Sequence, residues 1–469
     1  MSTVWKYLIL VAVFSLFIVA GYFGYKYYRE YKNPVLPGIN AITPDCPLFL
    51  EIKKPLETFY KLSKKTELWQ ELITISEVKN IHRQILFLDS IISSDNLMNK
   101  IVANNKTYIS INKSVSEKFE SLFIIELPTT GQTQSVESFI KKVNGAKSIV
   151  MQKDFEKAVI TMVNIAGFNR LFNYSVYKGL FIGSFDESVV RQAIEQLDTG
   201  TPVNEDKNFI RLQSTAGKNV DANIYINYLT LADLTVRYTN NDIHPFVNEL
   251  SNICQWTETD LIIKNDELLL NGYTITSDTV SLLLDNFRQE PQSIRIPNIL
   301  PYNVSMMMHF GFESFEQYQI SNNKYLKNKS KLQEHELKIK SINKKYSINI
   351  SKDLFSWIGN EIAIATTGTN GNENTLIVIH AGDIKKAELL LDKIANKSSA
   401  ESGKTVFNRE FGDYVIKKIE IPNLLPDIFG PFFSGIENNY FISIKDYVVF
   451  ANRSETLVNL INNFYIQKT

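Results

Sequence analysis

The chain is poor in the side chains that most often carry enzyme chemistry. Its 469 residues include five histidines and two cysteines. The histidines, at 82, 244, 309, 335 and 380, show neither H-x-x-x-H nor H-E-x-x-H spacing, which excludes the common helical zinc sites. No G-x-S-x-G elbow occurs, so nothing suggests a serine hydrolase of that type. Cys46 and Cys254 can pair in an oxidising space or remain buried thiols, and their separation does not choose between these outcomes. Charge of one sign is not in excess, because Lys+Arg and Asp+Glu both number 50; no net field recruits nucleic acid. Apolar residues make up 44% and charged residues 21%, so a folded chain with two or three cores is expected rather than disorder.

Long apolar runs are also missing, with one exception. YLILVAVFSLFIVAGYFGY, Tyr7 to Tyr25, is uncharged and as a helix reaches about 28 Å, close to a hydrocarbon core of about 30 Å. It exceeds the apolar core of a cleaved signal peptide, and no lipoprotein cysteine follows it. A short tail (1–6), a transmembrane helix (7–25) and a tether (26–43) are therefore expected. Lys26, Arg29 and Lys32 follow the span while Lys6 precedes it, and a count of positive charges would keep the large domain in the cytoplasm. The layout, a brief tail and one span before a long domain, is that of a signal-anchor that exports its C-terminal part. Tyrosines 22, 25, 27, 28 and 31 interleave with the cations as an interfacial belt. The expected location is a bacterial inner membrane with the C-terminal domain in the periplasm.

Three stretches imitate functional motifs. LDTGT, Leu197 to Thr201, resembles an aspartic-protease signature, but that chemistry needs two such carboxylates and the chain has no second copy. It reads instead as a helix end with Gly200 as a left-handed cap. TTGTNGNENT, Thr366 to Thr375, lacks the ending of a phosphate loop and offers Asn370-Gly371 as a hairpin turn. The lysine excess of Asn323 to Tyr346 reads as a solvated helix, or as a surface for an anionic partner if it faces a membrane.

The chain repeats itself. PLFLEIKKPLETF, from Pro47, matches VSMMMHFGFESF, from Val304; SLFIIEL matches TLIVIHA; and Tyr174–Leu197 aligns without a gap on Phe441–Phe464. Each pattern is strand, breaker and helix, or a hairpin followed by a helix. Residues 44–211 and 301–469 are therefore expected to form two copies of one α+β unit, separated by a central strand and hairpin segment (212–300) that turns at Asn265-Asp266. Leu48, Leu122 and Ile182 should superpose on Val304, Leu376 and Val449. Hairpin-joined strands favour mainly antiparallel sheets faced by helices. In this alignment His309 falls beside Lys53 and the alternating Met306 and Met308 fall on apolar strand positions, so the Met-Met-Met-His run reads as a strand rather than a copper site.

The anchor, the strand opening on its proline-marked lead, the run WTETDLIIKNDELLLNGYTITSD, and then FRQEPQS and NILPYNVSMMM together resemble a domain-of-unknown-function family of single-pass, membrane-anchored bacterial envelope proteins. The resemblance covers most of residues 44–469. It implies location and architecture, and it carries no site residues. No catalytic, cofactor or metal residues are expected. One stretch remains as a contact surface: IPNLLPDIFGPFFSGI, Ile421 to Ile436, whose Phe429, Phe432 and Phe433 are either core or, if exposed, an apolar patch for a protein or lipid. The expected function is a non-enzymatic, membrane-tethered extracytoplasmic binding or scaffold module. Its expected partners are the lipid bilayer and an envelope protein or hydrophobic ligand. The alternative is an envelope hydrolase with dispersed catalytic residues.

Overall fold

The structure, a computed structural model, describes residues 18–24, 35–129, 131–139, 149–165, 168–241, 244–264, 267–277, 280–368 and 374–468. Among these, no helix is long and apolar enough to cross a membrane. The expected span lies outside the described residues except for 18–24, which are helical with Ile18, Val19, Tyr22 and Phe23 exposed. The turn residues Asn265-Asp266 and Asn370-Gly371 also lie outside them.

The chain divides into two compact units, Met1–Tyr238 with Cys254–Ile275, and Thr239–Ile253 with Thr276–Thr469. Unit 1 is built on β1 (Leu48–Ile52), β2 (Thr107–Lys113), β3 (Phe119–Glu126), β4 (Ile149–Phe155), β5 (Ala158–Asn164), β6 (Leu171–Tyr177), β7 (Leu180–Ser184), β8 (Ala222–Asn227), β9 (Trp256–Ile263) and β10 (Leu268–Ile275). They form one sheet in the order β10-β9-β8-β1-β2-β3-β7-β6-β5-β4. Unit 2 contains β11 (Val304–Gly311), β12 (Ile358–Thr367), β13 (Asn374–Ala381), β14 (Asn408–Phe411), β15 (Tyr414–Ile419), β16 (Asn439–Ile444) and β17 (Tyr447–Ala451). Its order is β11-β12-β13-β17-β16-β15-β14. Neighbouring strands pair antiparallel in both sheets. The fold is α+β, and seven strands of each sheet follow one order. The segment 212–300 is divided between the units: β8, β9 and β10 extend the first sheet beyond β1, and residues 276–300 belong to unit 2.

The ladders fix which residues are equivalent. Leu122 lies opposite Ser184 and Leu376 opposite Ala451, while Ile182 lies opposite Ile124 and Val449 opposite Val378. Leu122 therefore corresponds to Leu376 and Ile182 to Val449. The first strand differs from the sequence alignment. Phe49 pairs with Ser110, and Met307 with Ala365, the equivalent of Ser110. Leu48 is thus level with Met306, not Val304, and His309 is level with Glu51, not Lys53. An irregularity between Val304 and Met306 accompanies the shift. A slip of two leaves every side chain on the same face, so apolar alternation could not detect it.

Local chemistry accounts for the ends of the elements. The hairpin β6–β7 turns on Lys178 (φ 48) and Gly179 (φ 74), both left-handed as a two-residue turn of this hand requires. Asp95, Asp186, Ser314 and Asp383 cap the helices that follow them by accepting backbone N–H groups. Gly200 does end the helix Glu187–Thr199, but with extended backbone (φ −75, ψ 150) rather than as a left-handed cap. Cys46 and Cys254 are both buried free thiols. The lysine-rich stretch forms Phe315–Asn328 and Leu332–Tyr346, which bury Tyr325, Ile342 and Tyr346 and leave most lysines exposed.

Each sheet has two covered faces. In unit 1, Phe49, Tyr108, Leu122, Ile124, Ile182 and Tyr225 point to one face and pack with the helices Glu187–Thr199 and Lys207–Gln213 as a single cluster. The opposite face carries the candidate site.

Candidate ligand-binding site

Alternation along the strands of unit 1 sends Leu48, Leu50 and Ile52 of β1, Thr107, Ile109 and Ile111 of β2, and Ser121, Phe123 and Ile125 of β3 to the second face. Helices inserted between β1 and β2 lie over that face. Pro55 opens the helix Pro55–Lys65 at a position where its missing N–H costs nothing, and Leu56, Phe59 and Leu62 project inward at helical spacing. Ile85, Asp89 and Ile92 do the same from Ser76–Ser93, and Met98, Ile101 and Val102 from Asn96–Asn104. Val136 and Phe139, from the helical residues 131–139, complete the cover.

Sheet and cover do not close on one another. A cavity of about 380 Å³ separates them, within the range of roughly 300–1,000 Å³ typical of ligand pockets. Its wall is almost wholly aliphatic and aromatic; Thr58, Asp89, Thr107 and Ser121 are the polar exceptions, beside Trp69 and Tyr174. Around it the apolar residues fall into three separate clusters, centred on Met98 and Phe139, on Phe123 and Phe172, and on Ile52 and Leu261. The Thr107 hydroxyl, buried in this wall, has no hydrogen-bond partner among the described residues.

The equivalent face of unit 2 is filled. There one continuous cluster extends from Phe312 and Phe315 through Ile364, Ile377 and Ile379 to Phe450. Ile379 and Val448 are fully buried, whereas their equivalents Ile125 and Phe181 in unit 1 are only half-buried. The filling comes from the β15–β16 connection. Ile421, Leu424, Leu425, Ile428, Phe433 and Ile436 are all buried in the cluster. Phe433 lies against Phe310 of β11 (ring centroids 6.2 Å apart), the equivalent of Ile52. Gly435 lies so close to Thr375, the equivalent of Ser121, that a Cβ on it would come within 2.9 Å of the threonine hydroxyl. The segment thus covers in unit 2 the strand positions that line the cavity in unit 1.

Of the two readings of Phe429, Phe432 and Phe433, this favours core over an exposed contact patch. Phe433 is buried, and Phe429 and Phe432 are partly buried against the same core. Phe429 packs on Phe433 at 5.1 Å and on Phe315 at 6.2 Å. The apolar surplus of the second copy meets its own sheet.

Sequence inspection also missed two buried acidic groups, Glu361 and Glu258. In unit 2, Glu361 Oε1 accepts the Tyr447 hydroxyl at 2.7 Å. Its Oε2 accepts the Arg295 N–H at 3.0 Å and faces His309 Nε2 at 3.0 Å. Burial alone would raise this carboxyl, but the three partners hold it below its ordinary value. Both oxygens are engaged, so the group acts as a polar clamp rather than a free base. In unit 1 the equivalent pair is Glu51 with Lys106, at 2.9 Å. His380 accepts the Asn360 N–H through Nδ1 at 3.3 Å and packs on Tyr447; burial lowers its pKa. Glu258 of unit 1 is fully buried, and burial with the neighbouring Asp260 pushes it up to about 7. Met308 packs against the core of unit 2 while Met306 is exposed, and among the described residues no group of three metal-ligating side chains converges.

Compared with known proteins, the chain matches the DUF3352 family, described as a protein of unknown function, over residues 176–410 and again over 335–469. It belongs to that family. The overlapping DUF3352 matches run from the end of β6 into β14 and from the helix Leu332–Tyr346 through β17 and its following helix. They include the filled unit and only the last strands of the unit that holds the cavity, so the family's matched region does not contain β1 to β3 or their helical cover. No curated protein and no solved structure matches this DUF3352 chain.

Proposed function

We propose that this protein is a non-enzymatic, membrane-tethered module that binds a hydrophobic ligand in the cavity of unit 1. The cavity carries the reading. A dry void of this size would cost on the order of 9 kcal/mol at the penalty of about 24 cal/mol per Å³ seen for engineered core cavities. Whole domains are stable by only about 5–15 kcal/mol. An apolar occupant offsets that cost, whereas water finds few partners on such a wall. Unit 2 supports the reading as an internal control, because there the chain itself supplies the filling.

The apolar run from Tyr7 to Tyr25 anchors the module in the bacterial inner membrane, with the folded part in the periplasm. The lone long span ahead of the folded part supports this reading against the charge count. Extraction of the purified full chain with organic solvent, followed by mass spectrometry, should release an apolar molecule in near-stoichiometric amount. Ser121→Phe, which places a ring in the cavity, should abolish that recovery. An empty wild-type extract from a well-folded preparation overturns the binding reading. Alkaline phosphatase fused to the C-terminus should be active; an inactive phosphatase with an active cytoplasmic reporter reverses the orientation.

A further inference from the structure

Unit 2 shows what a sheet face of this design accepts. Its Met308, Ile364, Ile377 and Ile379 are the equivalents of Leu50, Ile109, Phe123 and Ile125 in the cavity wall, apolar in both copies. What covers this face in unit 2 is peptide. Phe433 packs on Phe310 of β11 and Gly435 comes against Thr375 of β13, so three residues of the β15–β16 connection cross from the first strand of the copy to its third. In unit 1 the same path runs from Ile52 on β1 to Ser121 on β3, and both ends of it line the cavity. Ser121 lacks the methyl group of Thr375, so a backbone can approach it at least as closely.

Backbone is costly on an apolar wall unless its N–H and C=O groups are paired. The segment Ile421–Ile436 meets that condition largely by itself. Pro422, Pro426 and Pro431 carry no N–H. The N–H groups of Gly430, Phe433, Ser434 and Ile436 are donated within the segment, to the carbonyls of Pro426, Gly430, Pro431 and Phe433. Such a segment asks little of the wall but apolar contact. The wall of unit 1 offers one group more. Thr107 stands where unit 2 has Ile362, beside Ile52 in the β1–β2 ladder, and its buried hydroxyl has no partner among the described residues. A peptide brings carbonyl groups that can accept from this hydroxyl, which a hydrocarbon lacks.

We infer that the cavity of unit 1 takes a short apolar peptide folded into its own turns, with an aromatic side chain over Ile52 and a small residue at Ser121. This rests on the hydrophobic-ligand reading above and names the class of ligand.

The test uses the full chain held in a styrene–maleic polymer and, as probe, a fluorescein-labelled synthetic peptide with the sequence of Ile421–Ile436. Fluorescence anisotropy should show saturable binding. Ser121→Phe should weaken it roughly tenfold or more, and Ser121→Leu, a smaller intrusion into the same space, should act in the same direction. A peptide carrying Phe432→Ser and Phe433→Ser should lose a similar factor. With benzoylphenylalanine in place of Phe433, irradiation should link the peptide to residues 48–52, 107–111 or 121–125, located by mass spectrometry. Absence of saturable binding, equal binding of the serine peptide, or crosslinks confined to residues outside unit 1 overturns the inferred class. A non-peptide apolar molecule in the wild-type extract, lost in Ser121→Phe, then leaves the apolar-ligand site intact. No peptide binding together with an empty extract overturns both.

Discussion

The connections β5–β6 and β15–β16 leave and re-enter equivalent strands, yet one covers residues 165–170 and the other 420–438. In unit 2 the longer connection folds a helical turn, Leu424–Phe429, and three phenylalanines back onto the sheet. In unit 1 the shorter one cannot reach so far, and the same sheet face borders a cavity. Strand order and register are shared, so the presence of a pocket does not follow from the sheet. It follows from whether a loop brings enough apolar volume to close it, since a close-packed interior has no other source of filling.

This comparison can be broken most directly by emptying the filled unit. Phe433→Ala should cost about 3–5 kcal/mol in unit 2, the usual range for a buried ring, read as lost hydrogen-exchange protection in peptides of β12, β13 and β17. Unchanged protection would mean that the ring closes nothing. The units should also differ in their response to pH. Glu258 has its folded pKa raised from 4.5 to about 7, so its contribution is full below about 4.5 and is lost as pH rises through about 7. At pH 8 the deficit approaches about 3 kcal/mol, and Glu258→Gln should remove that part of the alkaline loss from unit 1. Glu361 of unit 2 is shifted the other way; its contribution is present above the ordinary carboxyl range and is lost as pH falls. Glu361→Gln should therefore flatten the acid limb of unit 2 only, and identical pH profiles for the two variants would contradict the assignment.

A finer comparison uses equivalent wall residues. Ile379→Ala, in the filled core, should cost about 2–5 kcal/mol, while Ile125→Ala, already beside a void, should cost about 2 kcal/mol less. Denaturant unfolding with exchange read-out for each unit measures the difference, and equal losses would indicate that the cavity is closed in solution. The smallest expected effect is Ser121→Phe, which should stabilise ligand-free unit 1 by about 1 kcal/mol through cavity filling. A large loss would show that the wall cannot accept a ring.

Much of the fold was legible in the chain. The repeated strand patterns, the hairpin β6–β7 and the correspondence of Leu122 with Leu376 and Ile182 with Val449 follow from alternation and turn residues that act locally, whereas β4, β5, β14 and β15 were not anticipated. The first strand was legible only to within two residues, because Leu48 can be placed on Val304 or Met306 without moving an apolar side chain to the other face. The candidate site was not legible. Leu50, Ile109, Phe123 and Ile125 are unremarkable strand residues, and nothing in their order shows that no side chain stands opposite them. The phenylalanines of 429–433 were noticed for the right reason, a surplus over the first copy, but composition cannot tell a plug from a patch.

By itself, then, the sequence determined the α+β class, the paired strand patterns and the scarcity of residues suited to catalysis. These depend on periodicity, turn chemistry and composition, which are properties of neighbours along the chain. Only the tertiary structure decided that β8, β9 and β10 join the first sheet, that Glu361 meets Tyr447 across 86 positions, and that one sheet face is filled while its equivalent is hollow. Those outcomes depend on volumes and contacts between distant segments, and a void is the absence of a contact, which no residue in the sequence encodes by its type.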